Sequence, residues 1–369
     1  MMYSKFMNSP TLSFILPSRN AGIYLKHTLE NLLDTTDARY EIILSLNNGT
    51  DPLPNFIAEI KDSRLRVLKT EDNVSMSQNW YQGLIQTSGK WVCFVGSDDG
   101  IVARNLSQFI DLLESEIKTS IITNHTLAFH YAQKNKSAWL NLPKSKCNNE
   151  IYTVKWPTKL AAYFPQFYYD MPQPYSKAII RKELLFELIK NENQIPGICP
   201  DIFLGNYAAM LSNKGVYIDL PLTVRGNSPV SIGGQVFGDK LKSQSTRELL
   251  KEFYGKERKL QNKFGPTCRP AVALDYYLHC KSYLKNEKQV SRMLLELWCN
   301  LSCMDKSHHN QVWKNTKVLG SLIYLVGLTL RKFWFLKNFS PRVPKDEKIL
   351  VNSNENIYSI SKLLSNRYL

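Results

Sequence analysis

The sequence predicts an open, mostly parallel α/β sheet flanked by helices. Two observations carry this. The first 125 residues alternate short β-rich runs with helical patterns four times over. The run Trp91-Val92-Cys93-Phe94-Val95 is apolar without interruption, as a central strand covered on both faces should be. Leu12–Leu16 reads as the first buried strand, closed by Pro17. Leu25, Leu29, Leu32 and Leu33 share one helix face. Glu41–Leu46 is a second strand, ended by Asn47-Asn48-Gly49. A helix over 54–60 leads to a strand at 65–68. Met76, Trp80 and Leu84 mark the next helix, which stops at Ser88-Gly89. A helix over 106–117 and a strand over 120–123 close the α/β half.

Beyond residue 125 the pattern loosens and fills with aromatic residues, Pro and Asn, with helices expected at 181–189 and 201–211. The expected organisation is a catalytic-type domain over 1–238, with a nucleotide-binding half (11–125) and an acceptor half (126–238). A helical C-terminal region follows over 239–340, and residues 341–369 read as a basic, polar, poorly ordered tail.

Composition narrows the function classes. The chain has 369 residues with 47 Lys plus Arg against 32 Asp plus Glu, a formal charge of +15. That surplus favours polyanions, anionic membranes or phosphorylated substrates. No apolar run approaches the roughly 18 residues of a membrane span. The seven cysteines point to free thiols in a reducing compartment, and hence to a cytoplasmic protein. There is no Gly-x-x-x-x-Gly-Lys loop, no Gly-x-Gly-x-x-Gly after the first strand and no basic recognition helix. P-loop and dinucleotide enzymes and nucleic-acid modules are therefore disfavoured. Cys299, Cys303 and His308-His309 match no standard zinc spacing and read as helix packing.

Open α/β sheets bind ligands beyond the carboxyl ends of their strands. Here those ends read Pro17-Ser18-Arg19-Asn20, Asn47-Asn48-Gly49-Thr50-Asp51 and Gly96-Ser97-Asp98-Asp99-Gly100. Adjacent carboxylates at a strand end supply hard oxygen ligands suited to Mg²⁺ or Mn²⁺. The order of these pieces, with Asn73–Trp80 and Gly89–Val92 between the second and third, resembles the family 2 glycosyltransferases of the GT-A fold over residues 11 to about 125.

The resemblance implies a nucleotide-sugar donor lying along Pro17, Ser18, Asn20, Asn47 and Asn79. Its diphosphate would be bridged to Asp99 by Mn²⁺ or Mg²⁺, with Asp98 on the ribose or donor sugar. Where the family carries an acidic residue at the end of the second strand, this chain has Leu46 and Asn47. The resemblance also implies inversion at the anomeric carbon by a general base at a helix start. Asp201, after Ile195–Pro200, fits that place, with Asp170 and Glu183 as weaker candidates and an N-cap as its plain alternative. Arg225-Gly226-Asn227-Ser228 resembles a late loop with a phosphate-binding Arg. Tyr163, Phe167, Tyr168 and Tyr169, with the turn over 171–175, are candidates for an acceptor-sugar platform.

The expected acceptor is a glycan or lipid-linked glycan in surface-polysaccharide assembly on the cytoplasmic membrane face. The uncharged stretch 318–330 is flanked by Lys314, Lys317, Arg331, Lys332 and Lys337. It reads either as an interfacial anchor on anionic lipid or as a helix docked on the catalytic domain. A GT-A-like binding module without turnover, and a nucleotidyltransferase, are the alternative functions.

Overall fold

The computed structural model describes residues 9–231, except 21, 48–54, 116–117, 134–135, 144–146, 148–149, 162–166, 168–169, 191, 198 and 230, together with 275, 278, 325–334 and 346–367. The chain alternates β1 (Leu12–Ser18), α1 (Gly22–Leu33), β2 (Tyr40–Leu46), α2 (Asn55–Glu59), β3 (Leu65–Lys69), α3 (Met76–Ile85) and β4 (Trp91–Phe94). β5 (Gly100–Ile101), α4 (Leu106–Glu114), β6 (Ile121–Asn124), β7 (Leu127–His130), β8 (Trp139–Pro143), β9 (Ile151–Lys155) and α5 (Thr158–Ala161) follow. Then come β10 (Ala178–Arg181), α6 (Lys182–Ile189), α7 (Pro200–Ser212), β11 (Lys214–Ile218) and β12 (Thr223–Asn227). A helix over 325–334 is termed α8. β13 (Asp346–Leu350) and α9 (Ile357–Arg367) complete the described elements.

One sheet has the order β3-β2-β1-β4-β10-β6-β11-β9. β1 runs parallel to both β2 and β4, and β2 parallel to β3, while β10 opposes β4 and β6. This is the expected GT-A-like fold. Its strands are apolar because both faces are covered: Phe14, Ile42 and Cys93 pack on one side, and Ile15, Val92 and Phe94 on the other. α3 starts on a capping box, in which Ser75 Oγ accepts the Gln78 N–H and Gln78 Oε1 accepts the Ser75 N–H. β1 is longer than expected, because Pro17 and Ser18 continue pairing with β2 instead of closing the strand.

A second sheet, β13-β8-β7-β12-β5, stands beside the first. Its inner face carries Leu127, Phe129, Leu140 and Val224, packed on Ile357, Ile360 and Leu364 of α9. Residues 346–367 were expected in a free tail and instead form an edge strand and a buried helix. The three α9 side chains are fully buried, and each such residue contributes roughly 1.5–3 kcal/mol. A chain ending at residue 345 should therefore lose its cooperative thermal transition by circular dichroism and elute as aggregate. A truncated chain that melts like the parent would contradict the docking.

Of the expected C-terminal helical region, α8 lies among the described residues. Leu330 and Trp334 pack on the core, Trp334 edge-on to Phe167 at 6.1 Å, while Arg331 pairs with Asp170. One face thus docks on the catalytic domain. Leu325, Val326 and Phe333 are at least half exposed on the other. Arg331, expected as a basic flank of an interfacial anchor, faces the protein. Lys314, Lys317, Lys337, Cys299, Cys303 and His308-His309 lie outside the described residues. No described helix is long and apolar enough to cross a membrane.

Candidate functional site

In the order β3-β2-β1-β4 the chain reverses direction of growth between β1 and β4, and the crevice beyond those strand ends is the natural ligand position. The Asp98-Asp99 loop leaves β4 there. Two main-chain carbonyls of the loop, Ser97 O and Asp99 O, accept from Thr28 Oγ1 of α1 at 3.0 and 2.8 Å.

The two carboxylates are held differently. Asp99 is fully buried. Its Oδ1 accepts the Gly226 N–H (2.7 Å), and its Oδ2 accepts the Gly96 N–H (2.9 Å) and the Ser176 hydroxyl. Asp98 accepts one main-chain donor on Oδ2, the Ser228 N–H at 3.1 Å, and Tyr131 donates to its carbonyl. Burial raises both carboxyls above the ordinary carboxylate range, and for Asp98 the charge of Asp99 adds to it. Asp99, expected to bind the cation, therefore has its oxygens occupied by the protein, and Asp98 is the carboxylate less committed.

Glycine is required at two close approaches. A Cβ on Gly226 would fall on the Asp98 carbonyl oxygen, and one on Gly96 would fall on the Tyr175 hydroxyl. β12 and the segment before β10 are thereby pressed onto the loop. Arg225 sits within β12, a strand where a loop was expected. Its Nε is buried without a hydrogen-bond partner, as are Ser18 Oγ at the end of β1 and Ser228 Oγ. Buried polar groups of this kind suit a polar ligand.

Asp201 lies in the first turn of α7 behind Pro200. The residue at the N-cap is Cys199, so Asp201 is not the cap. Burial raises its carboxyl, opposed by the Ile202 N–H and by Arg225. Tyr175 ties the pieces together. It stacks on Trp80 at 5.8 Å, and its phenol is raised by burial and by the charges of Asp99, Asp98 and Asp201, with Arg225 opposing.

Other expected residues are employed elsewhere. The Asn47 amide donates to Val74 O (2.7 Å) and accepts the Val74 N–H (3.0 Å), fixing the approach to α3. Asn79 is 4% exposed and exchanges side-chain hydrogen bonds with Ser45, clamping α3 to the middle of β2. Asn20 adopts a left-handed backbone, φ 52°, at the turn from β1 to α1, and Pro17 is paired within β1. Phe167 is wholly core, while Tyr163, Tyr168 and Tyr169 lie outside the described residues. Asp170 is ion-paired to Arg331. Tyr175, expected in an acceptor platform, instead packs against the loop, and Ser176, Tyr131 and Thr28 were missed, because their contacts to the loop are remote in sequence.

Among the described residues no group of three or more His, Cys, Asp or Glu side chains could hold a metal. A divalent cation bound through one carboxylate and substrate phosphates needs no such cage. Asp98, buried and raised by a second carboxylate, has the character of such a ligand.

Parts of the chain are similar to known proteins. The model of the family "Glycosyl transferase family 2" matches residues 13–168. Escherichia coli WfgD, a UDP-Glc:α-D-GlcNAc-diphosphoundecaprenol β-1,3-glucosyltransferase, is 25% identical over 154 residues, 40% of this chain and 60% of WfgD. Streptococcus pneumoniae glycosyltransferase GlyG is 32% identical over 100 residues, 27% of this chain and 33% of GlyG. The matched segments thus span from a third to three fifths of these relatives' lengths. The S. aureus TarS 1–349 structure with UDP-GlcNAc superposes at a TM-score of 0.48 and 14% identity, covering 88% of this chain and 92% of that one. The residues matched, 13–168, include β1, β2, β4 and the paired aspartates, and over that part the chain is similar to glycosyl transferase family 2.

Proposed function

We propose that the protein transfers a sugar from a nucleotide-sugar donor to a glycan or lipid-linked acceptor, with inversion, in surface-polysaccharide assembly. The buried Asp98-Asp99 loop at the β1/β4 crevice, with Asp99 held by Gly96, Ser176 and Gly226 and Asp98 by the Ser228 N–H, carries the reading. Ser18, Ser228 and Arg225 bind and orient the donor. Asp98 would hold Mn²⁺ or Mg²⁺, and Asp99 fixes the loop that presents it. A bound divalent cation supplies positive charge to a departing nucleoside diphosphate. Arg225 adds a guanidinium on the same side. Asp201 accepts the proton of the acceptor hydroxyl, a role that its raised carboxyl serves near neutral pH.

The test is thermal denaturation with UDP, GDP and dTDP, each with and without Mn²⁺. A ligand at 100 times its Kd stabilises by about 2.7 kcal/mol, so one base should stand out and depend on Mn²⁺. No shift with any of them would end the reading. Mn²⁺-dependent release of nucleoside diphosphate from the matching sugar nucleotide separates an enzyme from a binding module.

We also place the protein at an anionic membrane surface through the exposed face of α8. Leu325, Val326 and Phe333 supply apolar area and Lys332 a cation beside them. Co-sedimentation with phosphatidylglycerol vesicles should fall several-fold in Leu325→Glu/Phe333→Glu, without change in melting temperature. Undiminished sedimentation of that variant would contradict the placement.

A further inference from the structure

The aim of the Asp98 carboxylate depends on the main chain around it. Asp99 is held on both of its oxygens, whereas Asp98 accepts the Ser228 N–H on Oδ2. The chain immediately before and after Asp98 is gripped by one hydroxyl. Thr28 Oγ1 donates to Ser97 O at 3.0 Å and to Asp99 O at 2.8 Å. A threonine inside a helix can return its hydroxyl to the carbonyl one turn back. That of Thr28 reaches 69 and 71 positions along the chain instead.

One turn further on α1, Asn31 holds the strand that follows the loop. Its Nδ2 donates to Ile101 O (3.1 Å) and its Oδ1 accepts the Ile101 N–H (2.6 Å). β5 pairs with β12 along its other edge, so the Asn31 amide stands where a neighbouring strand would and satisfies this one. The Ile101 carbonyl accepts from Ser361 Oγ as well, at 2.6 Å. A Cβ on Gly100 would stand 2.7 Å from Asn31 Oδ1, so glycine lets the strand lie against the helix. Thr28 and Asn31 are both fully buried. Such residues favour caps and turns over a helix interior, and burying them is costly unless they find partners. Here the partners are the main chain of residues 97, 99 and 101.

We infer that Thr28 is a positioning residue for the donor site, with Asn31 as its anchor at the far end of the loop. Together they fix residues 97–101 on α1 and set the direction in which Asp98 presents its carboxylate. The inference rests on the glycosyltransferase reading above. Its physical basis is preorganisation: a carboxylate whose backbone is already fixed gives up less freedom when a cation and a diphosphate bind. Without the hydroxyl, the carbonyls on either side of Asp98 lose their shared donor, and the carboxylate turns with the freed chain.

Calorimetric titration of the full chain with UDP, GDP and dTDP, each with and without Mn²⁺, reads the effect. For the nucleotide that the parent binds, Thr28→Val should cut the factor by which Mn²⁺ tightens binding about two- to tenfold, the worth of one hydrogen bond. The metal-free affinity should stay at the parent's. Thr28→Ser keeps the hydroxyl and should keep the factor. Thr28→Ala removes the hydroxyl without setting a methyl group against the loop, and should read as Thr28→Val does even if the valine variant does not fold. Ser361→Ala is the structural control. It takes a hydrogen bond from the same segment but leaves Ile101 O to Asn31, so it should lower the melting temperature and keep the Mn²⁺ factor. An unchanged factor in folded Thr28→Val or Thr28→Ala would reduce Thr28 to a structural residue. Failure of both to fold, or an equal loss in Thr28→Ser or Ser361→Ala, would do the same. A parent that binds none of the three nucleotides, or binds without regard to Mn²⁺, would instead end the reading on which the inference rests.

Discussion

Asp98→Asn is expected to abolish Mn²⁺-dependent turnover while leaving the protein at least as stable as the parent at pH 8. The stability half follows from linkage. Burial and the Asp99 charge raise the folded-state value of Asp98 above that of an unfolded aspartate. Between those two values the folded protein holds more protons than the unfolded chain. Cation-free stability is then greatest below the unfolded value and falls as pH rises through the folded one. The parent's melting temperature should therefore drop between pH 5 and pH 8, with Mn²⁺ restoring part of it. Asp98→Asn removes its own share of the drop, leaving that of Asp99 and Asp201, and abolishes the Mn²⁺ response.

Asp99→Asn should behave in the opposite way. An amide cannot accept the Gly96 and Gly226 N–H groups and the Ser176 hydroxyl together. Each buried donor left unpaired costs about 1–3 kcal/mol, so this variant should melt lower at every pH. Full activity in Asp98→Asn, or a parent-like melt for Asp99→Asn, would reverse the division of labour between the two residues.

Asp201→Asn should lower the rate of nucleoside diphosphate release by about 10² to 10⁴, the usual contribution of a general base. The helix should survive, because Cys199 holds the N-cap and Pro200 opens the first turn. Nucleotide affinity and melting temperature should stay near the parent's. A variant that loses its cooperative melt but keeps its rate per folded molecule would reduce Asp201 to a structural residue.

Strands covered on both faces announce themselves, which is why β1, β2 and β4 were legible as apolar runs. The second sheet was not. β7 is only four residues long and alternates buried Leu127 and Phe129 with half-exposed Ala128 and His130, too short a pattern to stand out. α9 left a readable trace, Ile357, Ile360 and Leu364 at helical spacing, masked by the polar residues around it. Within the site, Asp98, Asp99, Asp201 and Arg225 were visible as charged residues at element ends. What Asn47 and Asn79 do was not, because an amide committed to main chain looks in sequence like one free for a ligand. The Asp99 partners escaped for a related reason: Ser176 is 77 positions away and the Gly226 N–H 127 positions away.

The contact of α9 with the catalytic loop sets an order of events during synthesis. Ile357 packs where a Cβ on Gly100 would stand, and Ser361 donates to Ile101 O across 260 positions. At ribosomal rates of about 5–20 residues per second, the loop after Asp99 waits some tens of seconds for its final support. Until then β5 has an uncovered apolar flank. A fragment released before α9 is made is thus expected to leave this flank open to proteases.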